Sequence, residues 1–131
     1  RRKAEPERFA PGTVFRLVAR KLLFLALTLA GCSKGPDADL PYIGEARSIA
    51  AEWALVNEQA SEGHLTADYV RTMRSDLRDQ LRAIPKSLTE PRSAYGQEIA
   101  ELLKEPNDAS AATLRSHASK LKRIEVSLES D

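Results

Sequence analysis

From Tyr42 to the last residue, apolar side chains recur every three to four positions, and no stretch alternates as a half-buried strand would. That single pattern rules out a sheet and requires helices that each hide one stripe. Breakers divide the pattern into four. The first segment carries Ile43, Ala46, Ile49, Ala50, Trp53, Val56 and Ala60; it is expected to start near Asp39–Pro41 and stop at Gly63. Thr66 is the expected cap of the second, whose stripe is Tyr69, Val70, Met73, Leu77, Leu81 and Ile84 before Pro85 closes it. Thr89, with Pro91 just inside, is expected to open the third, carrying Tyr95, Ile99, Leu102 and Leu103 up to Pro106. Asn107 or Asp108 is the expected cap of the fourth, with Leu114, Ala118, Leu121, Ile124 and Leu128 in line. Short turns between amphipathic helices make antiparallel neighbours the natural solution, so the fold class is all-α, a small antiparallel bundle of three to four helices.

Composition matters because charge is unevenly placed. Residues 1–31 hold seven Lys/Arg against two Asp/Glu, net +5, whereas the remainder holds thirteen against seventeen, net −4. A mildly acidic body argues against nucleic acid as a partner. All three phenylalanines lie within the first 24 residues, so the helical part builds its core from Leu, Ile, Val and Ala around a single Trp53.

Before the helices, Arg16, Arg20 and Lys21 precede a short apolar run, Leu22 to Ala30. The run is too short for a membrane span, which needs about 20 residues. A basic cluster, a short apolar stretch and small residues at a cut site follow the order of a secretory signal. Directly behind stands Cys32, the chain's one cysteine, which has no partner for an internal disulfide or a cysteine-based metal site.

Leu29-Ala30-Gly31-Cys32 resembles the lipobox of bacterial lipoproteins, position for position. The resemblance implies cleavage between Gly31 and Cys32, a diacylglyceryl group on the Cys32 sulfur and acylation of the new amino terminus. Several acyl chains hold a protein to a bilayer stably where one does so marginally. Ser33, in place of the Asp common in lipoproteins kept at the inner membrane, implies an outer-membrane location facing the periplasm. "YIGEARSIAAEWALVN" and "YVRTMRSDLRDQL" are similar to small Gram-negative lipoproteins without an assigned activity, so only Cys32 and the cleavage site carry over. Arg1 to Thr13 is long, proline-containing and partly acidic for a signal's basic region, and the expectation is a translation start at Val14. The resulting organisation is a signal peptide over 1–31, a lipidated and flexible tether over 32–41 and a helical domain over 42–131.

For chemistry, His64 with Asp68 and His117 are the residues from which a general base or metal site would be built. No HExxH, GxSxG, phosphate-binding glycine loop or CxxC pair accompanies them, so no catalytic residue, metal or cofactor is assigned. Arg71, Arg74, Arg78 and Arg82 form a row within a sector of about 80° beside the second segment's apolar stripe. One reading makes the row a site for anionic lipid heads, lipopolysaccharide phosphates or glycan carboxylates. The other has the stems cover the core edge and the heads pair with acids such as Glu45 and Glu52, with Asp79 a local partner for Arg82. Trp53 and Asn57 share a face; the expectation is Trp53 in the core and Asn57 at its edge, bonded to a neighbouring backbone, against a groove lined by Trp53 and Tyr42. The functional expectation is a lipid-anchored envelope module with a protein partner, the alternative a binder of anionic envelope components through the arginine row.

Overall fold

The computed structural model describes residues 35–131, all of whose regular structure is helical. Helix α1 spans Pro36–Ser61, α2 Ala67–Ala83, α3 Ala94–Lys104 and α4 Ala111–Glu129, with a 3₁₀ turn at Ile84–Lys86 after α2. The chain runs up, down, up and down. Asn57 of α1 meets Arg74 of α2, and Arg47 and Glu58 of α1 meet Glu125 and Arg115 of α4, so α2 and α4 both lie antiparallel to α1. Helix α3 starts beside the beginning of α1, where Tyr95 bonds Asp39, and ends in the loop that Trp53 and Asn57 hold. The expected antiparallel bundle is therefore the observed fold.

The core is aliphatic around one indole. Trp53, Ile43, Leu77, Leu81, Ile99, Leu102, Leu114 and Leu121 are each almost fully enclosed. Each such side chain gains about 1.5–3 kcal/mol on leaving water, which makes these eight the principal source of stability. Ala46, Ala50 and Ala54 are also fully buried along α1, the central element that touches all three other helices. Among the described residues the exposed large apolar side chains Leu55, Tyr69 and Val126 sit on three different helices.

Three boundaries differ from the sequence reading. Helix α1 begins at Pro36, not at Asp39–Pro41, so the expected flexible tether is already helical from Pro36 onward. Pro41 lies inside the helix and removes one backbone donor. What holds this turn is Asp39, fully buried, whose carboxylate accepts the Thr89 amide at 2.7 Å, the Glu90 amide at 3.0 Å and the Tyr95 hydroxyl at 2.7 Å. The same bonds occupy the Thr89–Pro91 segment in a turn, so α3 is capped by Ser93 Oγ accepting the Gly96 amide instead of by Thr89. Likewise Asn107 and Asp108 stay in the loop and Ser110 caps α4 through the Thr113 amide. Elsewhere the expectations hold. Thr66 accepts the Tyr69 amide, and Gly63 at φ +74° ends the first helix with the Gly63 amide on Ala60 O and the His64 amide on Gln59 O.

Candidate functional site

The residues of the proposed lipobox, Leu29 to Cys32, with the lipidation and cleavage positions Cys32 and Gly31, lie outside the described residues. Among the described ones, Trp53, Asn57, Arg74 and Arg78 converge at the end of the bundle that holds the α3–α4 loop. Trp53 is wholly buried and donates its indole N–H to Asn107 O at 3.0 Å. Asn57 donates to Asn107 O at 3.1 Å and Ala109 O at 2.7 Å, and accepts from Arg74 Nε at 2.8 Å. Both expectations for this pair hold: Trp53 is core, and Asn57 binds a neighbouring backbone. Leaving such an amide unpaired costs about 1–3 kcal/mol, so the contact fixes the loop against α1.

The arginine row does not behave as one surface. Arg78 lies over the Trp53 ring, 5.3 Å from its centroid. Its Nη1 donates to Glu105 O and Asn107 Oδ1, each at 2.8 Å, and its Nη2 to Leu103 O at 2.9 Å. This guanidinium fastens the end of α3 to α2 and has little capacity left for a ligand. Arg82 pairs with Asp79 at 2.8 Å and Arg71 with Asp68 at 2.6 Å, both exposed pairs one turn apart that contribute little to stability. Glu45 and Glu52 form no ion pair among the described residues, so the α1 acids expected to receive the row are not its partners; Asp79 does pair with Arg82 as expected, Asp68 pairs with Arg71, and asparagines and backbone carbonyls hold Arg74 and Arg78.

Arg74 differs from the other three. It is half-buried, its Nε is held by Asn57, and its two terminal nitrogens have no hydrogen-bond partner among the described residues. Two clefts flank it. One, about 360 Å³, is lined by Ala60, Leu65, Ala67, Val70, Arg71, Arg74 and Asn107. The other, about 570 Å³, has Arg74 opposite Glu58, Glu62 and Asp108. The second is therefore acidic overall, while arginines are the only charged groups lining the first.

The histidines do not meet. His64 is exposed, its Nδ1 2.9 Å from Gln59 Oε1 and 3.1 Å from Glu62 Oε2. His117 is buried between α3 and α4, with Nδ1 2.6 Å from Glu98 Oε1 and Nε2 2.9 Å from Glu105 Oε1, and Lys120 Nζ stands 3.6 Å from that Glu98 oxygen. Two carboxylates on the two ring nitrogens fix the imidazole as a bridge between α3, its C-terminal residue and α4. Among the described residues no group of three His, Cys, Asp or Glu side chains is arranged to hold a metal ion. No residue pattern pointed to this bridge, because Glu98 and Glu105 reach His117 only through the packing of α3 on α4.

Three further groups of charged side chains tie helices together. Arg115 and Glu58 pair through both guanidinium nitrogens, and the hydrogen bonds from Arg115 hold the Glu58 carboxyl below its usual range. Glu125 is buried with its Oε2 3.0 Å from Arg47 Nε, an ion pair in which neither atom makes a well-directed hydrogen bond. Burial alone would raise the Asp39 carboxyl, but hydrogen bonds from Thr89, Tyr95 and Glu90 outweigh it and hold its pKa low. Its partner Tyr95 is pushed up to about 12, by burial and then by the bond to Asp39.

No family model, curated protein or solved structure matches this chain.

Proposed function

We propose that the chain is a lipid-anchored envelope lipoprotein, a small helical accessory module held at the outer membrane and facing the periplasm, where it serves a protein partner. The observation that carries this reading is the Leu29-Ala30-Gly31-Cys32 sequence behind a short apolar run, so close to a folded helix. Helix α1 starts four residues after Cys32. A chain covers at most ~3.6 Å per residue, so an acylated Cys32 would hold the beginning of α1 within about 14 Å of its lipid. No described helix is long and apolar enough to cross a membrane, and an acylated Cys32 would supply a hold on the bilayer. Hydrogen-bond capacity inside the bundle is largely used to join helices, which suits a rigid binding module better than a catalyst.

Fractionation of cells producing the full chain tests the anchor. Wild-type protein is expected in the membrane fraction and released by detergent alone, and Cys32→Ser in the soluble fraction. A wild-type chain that salt or alkali strips from the membrane contradicts it. Affinity capture from detergent-solubilised envelopes then tests the module, with a stoichiometric protein partner as the expected result.

The alternative, direct binding of anionic envelope components along the whole arginine row, is weakened by the positions of Arg78 and Arg82. Arg78 is filled by three oxygen acceptors and Arg82 is paired with Asp79. What survives of it is local to Arg74.

A further inference from the structure

We infer that the smaller cleft beside Arg74 is a binding site for a monocarboxylate with a compact apolar body. The inference narrows the anion-binding alternative to one site and is independent of the lipid anchor.

The guanidinium is positioned in advance. Asn57 Oδ1 holds Arg74 Nε at 2.8 Å, and Asn57 is itself fixed by the carbonyls of Asn107 and Ala109. Arg74 can therefore present a fork already oriented, so little rotamer freedom is lost when a ligand binds. Its terminal nitrogens have no partner among the described residues, and such a fork matches the two oxygens of a carboxylate.

The charge of the cleft sets the ligand's charge. Arg71 at the rim is paired with Asp68, whereas Arg74 forms no ion pair among the described residues and is the charge left for a ligand of this cleft. A single cation between the apolar walls Ala60, Leu65, Ala67 and Val70 favours a monoanion with a greasy body over a phosphate cluster or a polyanionic glycan. The neighbouring cleft, with Glu58, Glu62 and Asp108, repels the same ligand. A volume of about 360 Å³ lies at the low end of small-ligand sites, which limits the body to a short aliphatic group. Such a group is offered by a free short-chain acid or by the carboxyl end of a peptide whose last residue is apolar.

Calorimetric titration of the full chain in detergent with hexanoate, with an Ala-Ala-Leu peptide, and with that peptide amidated at its end tests the site. Saturable binding of hexanoate or the free-acid peptide, at about 1 mM or tighter, with none of the amide, is expected. Binding of hexanoate alone identifies a free acid as the source, and binding of the peptide alone identifies a peptide terminus. Arg74→Gln and Ala67→Phe, the second filling the cleft without removing the Asn57 contact, are each expected to weaken binding at least tenfold, and Arg82→Gln to leave it unchanged. Circular dichroism of each variant verifies that the helices are retained. Binding of neither acid, equal binding of the amide, or equal losses in Arg82→Gln and Arg74→Gln overturns the assignment.

Discussion

Asp39 shows what one buried carboxylate can do in a fold this small. It holds Thr89 in a turn so that Ser93 caps α3 instead, carries α1 past the loss of a donor at Pro41, and joins the first helix to the start of α3. Asp39→Ala is expected to cost about 3 kcal/mol in chemical denaturation, because three donors lose a charged acceptor together. The lowered pKa of Asp39 makes its stabilisation present above the ordinary carboxylate range near ~4 and lost as pH falls through its lower folded value. For Tyr95, raised to about 12, the stabilisation is fully present below pH ~10 and lost as pH rises toward 12. Tyr95→Phe should therefore flatten the alkaline limb of a stability-versus-pH curve; an unchanged limb counts against the arrangement. Gly96 makes a second test. A Cβ there would clash with Pro91 O, so Gly96→Ala is expected to destabilise by about 1–3 kcal/mol, although alanine ordinarily favours a helix interior. A melting temperature equal to or above wild type would show that α3 and the Pro91 turn are not in close contact.

At the scale of elements, the four amphipathic stripes were legible because a 3.6-residue period and its breakers are local properties. The starts of α1, α3 and α4 were not, because long-range contacts decided them. Asp39 reaches fifty residues along the chain to Thr89, and Trp53 and Asn57 reach Asn107, which keeps Asn107 and Asp108 in a loop and leaves capping to Ser110. The caps can be told apart by mutation. Ser110→Ala is expected to cost about 1 kcal/mol, and Asp108→Ala to fall within about 0.5 kcal/mol of wild type. A reversed order would restore the sequence-based cap. The candidate site was half legible: the arginine row and the Trp53–Asn57 face could be read, but not the division of that row into one clamp, two exposed pairs and one open fork. That division depends on where the carbonyls of Leu103 and Glu105 lie. Asn57→Ala and Arg74→Gln should be non-additive by at least about 0.5 kcal/mol in a double-mutant cycle, as expected for groups sharing a hydrogen bond. Additive losses would mean that Arg74 is not held by Asn57.

For the whole molecule, α1 begins four residues after Cys32 in the chain, and the inferred cleft lies near the helix's far end. From Pro36 to Asn57 the helix advances about 32 Å at ~1.5 Å per residue, and Asn57 is the residue that positions Arg74. With only three residues between Cys32 and that helix, a lipidated chain would carry its binding end on a short rigid arm, in place of the longer flexible tether that the prolines and Gly35 suggested. The polar ties at both ends of the bundle, Asp39 at one and Asn57 with Arg78 at the other, give that arm its stiffness. If Cys32 carries lipid at its sulfur and at its new amino group, mass spectrometry of the native protein after trypsin will find both. The expected product is an amino-terminal Cys32–Lys34 peptide carrying a diacylglyceryl thioether and an amide-linked acyl chain. A recovered Leu22–Lys34 peptide with a free thiol would contradict it.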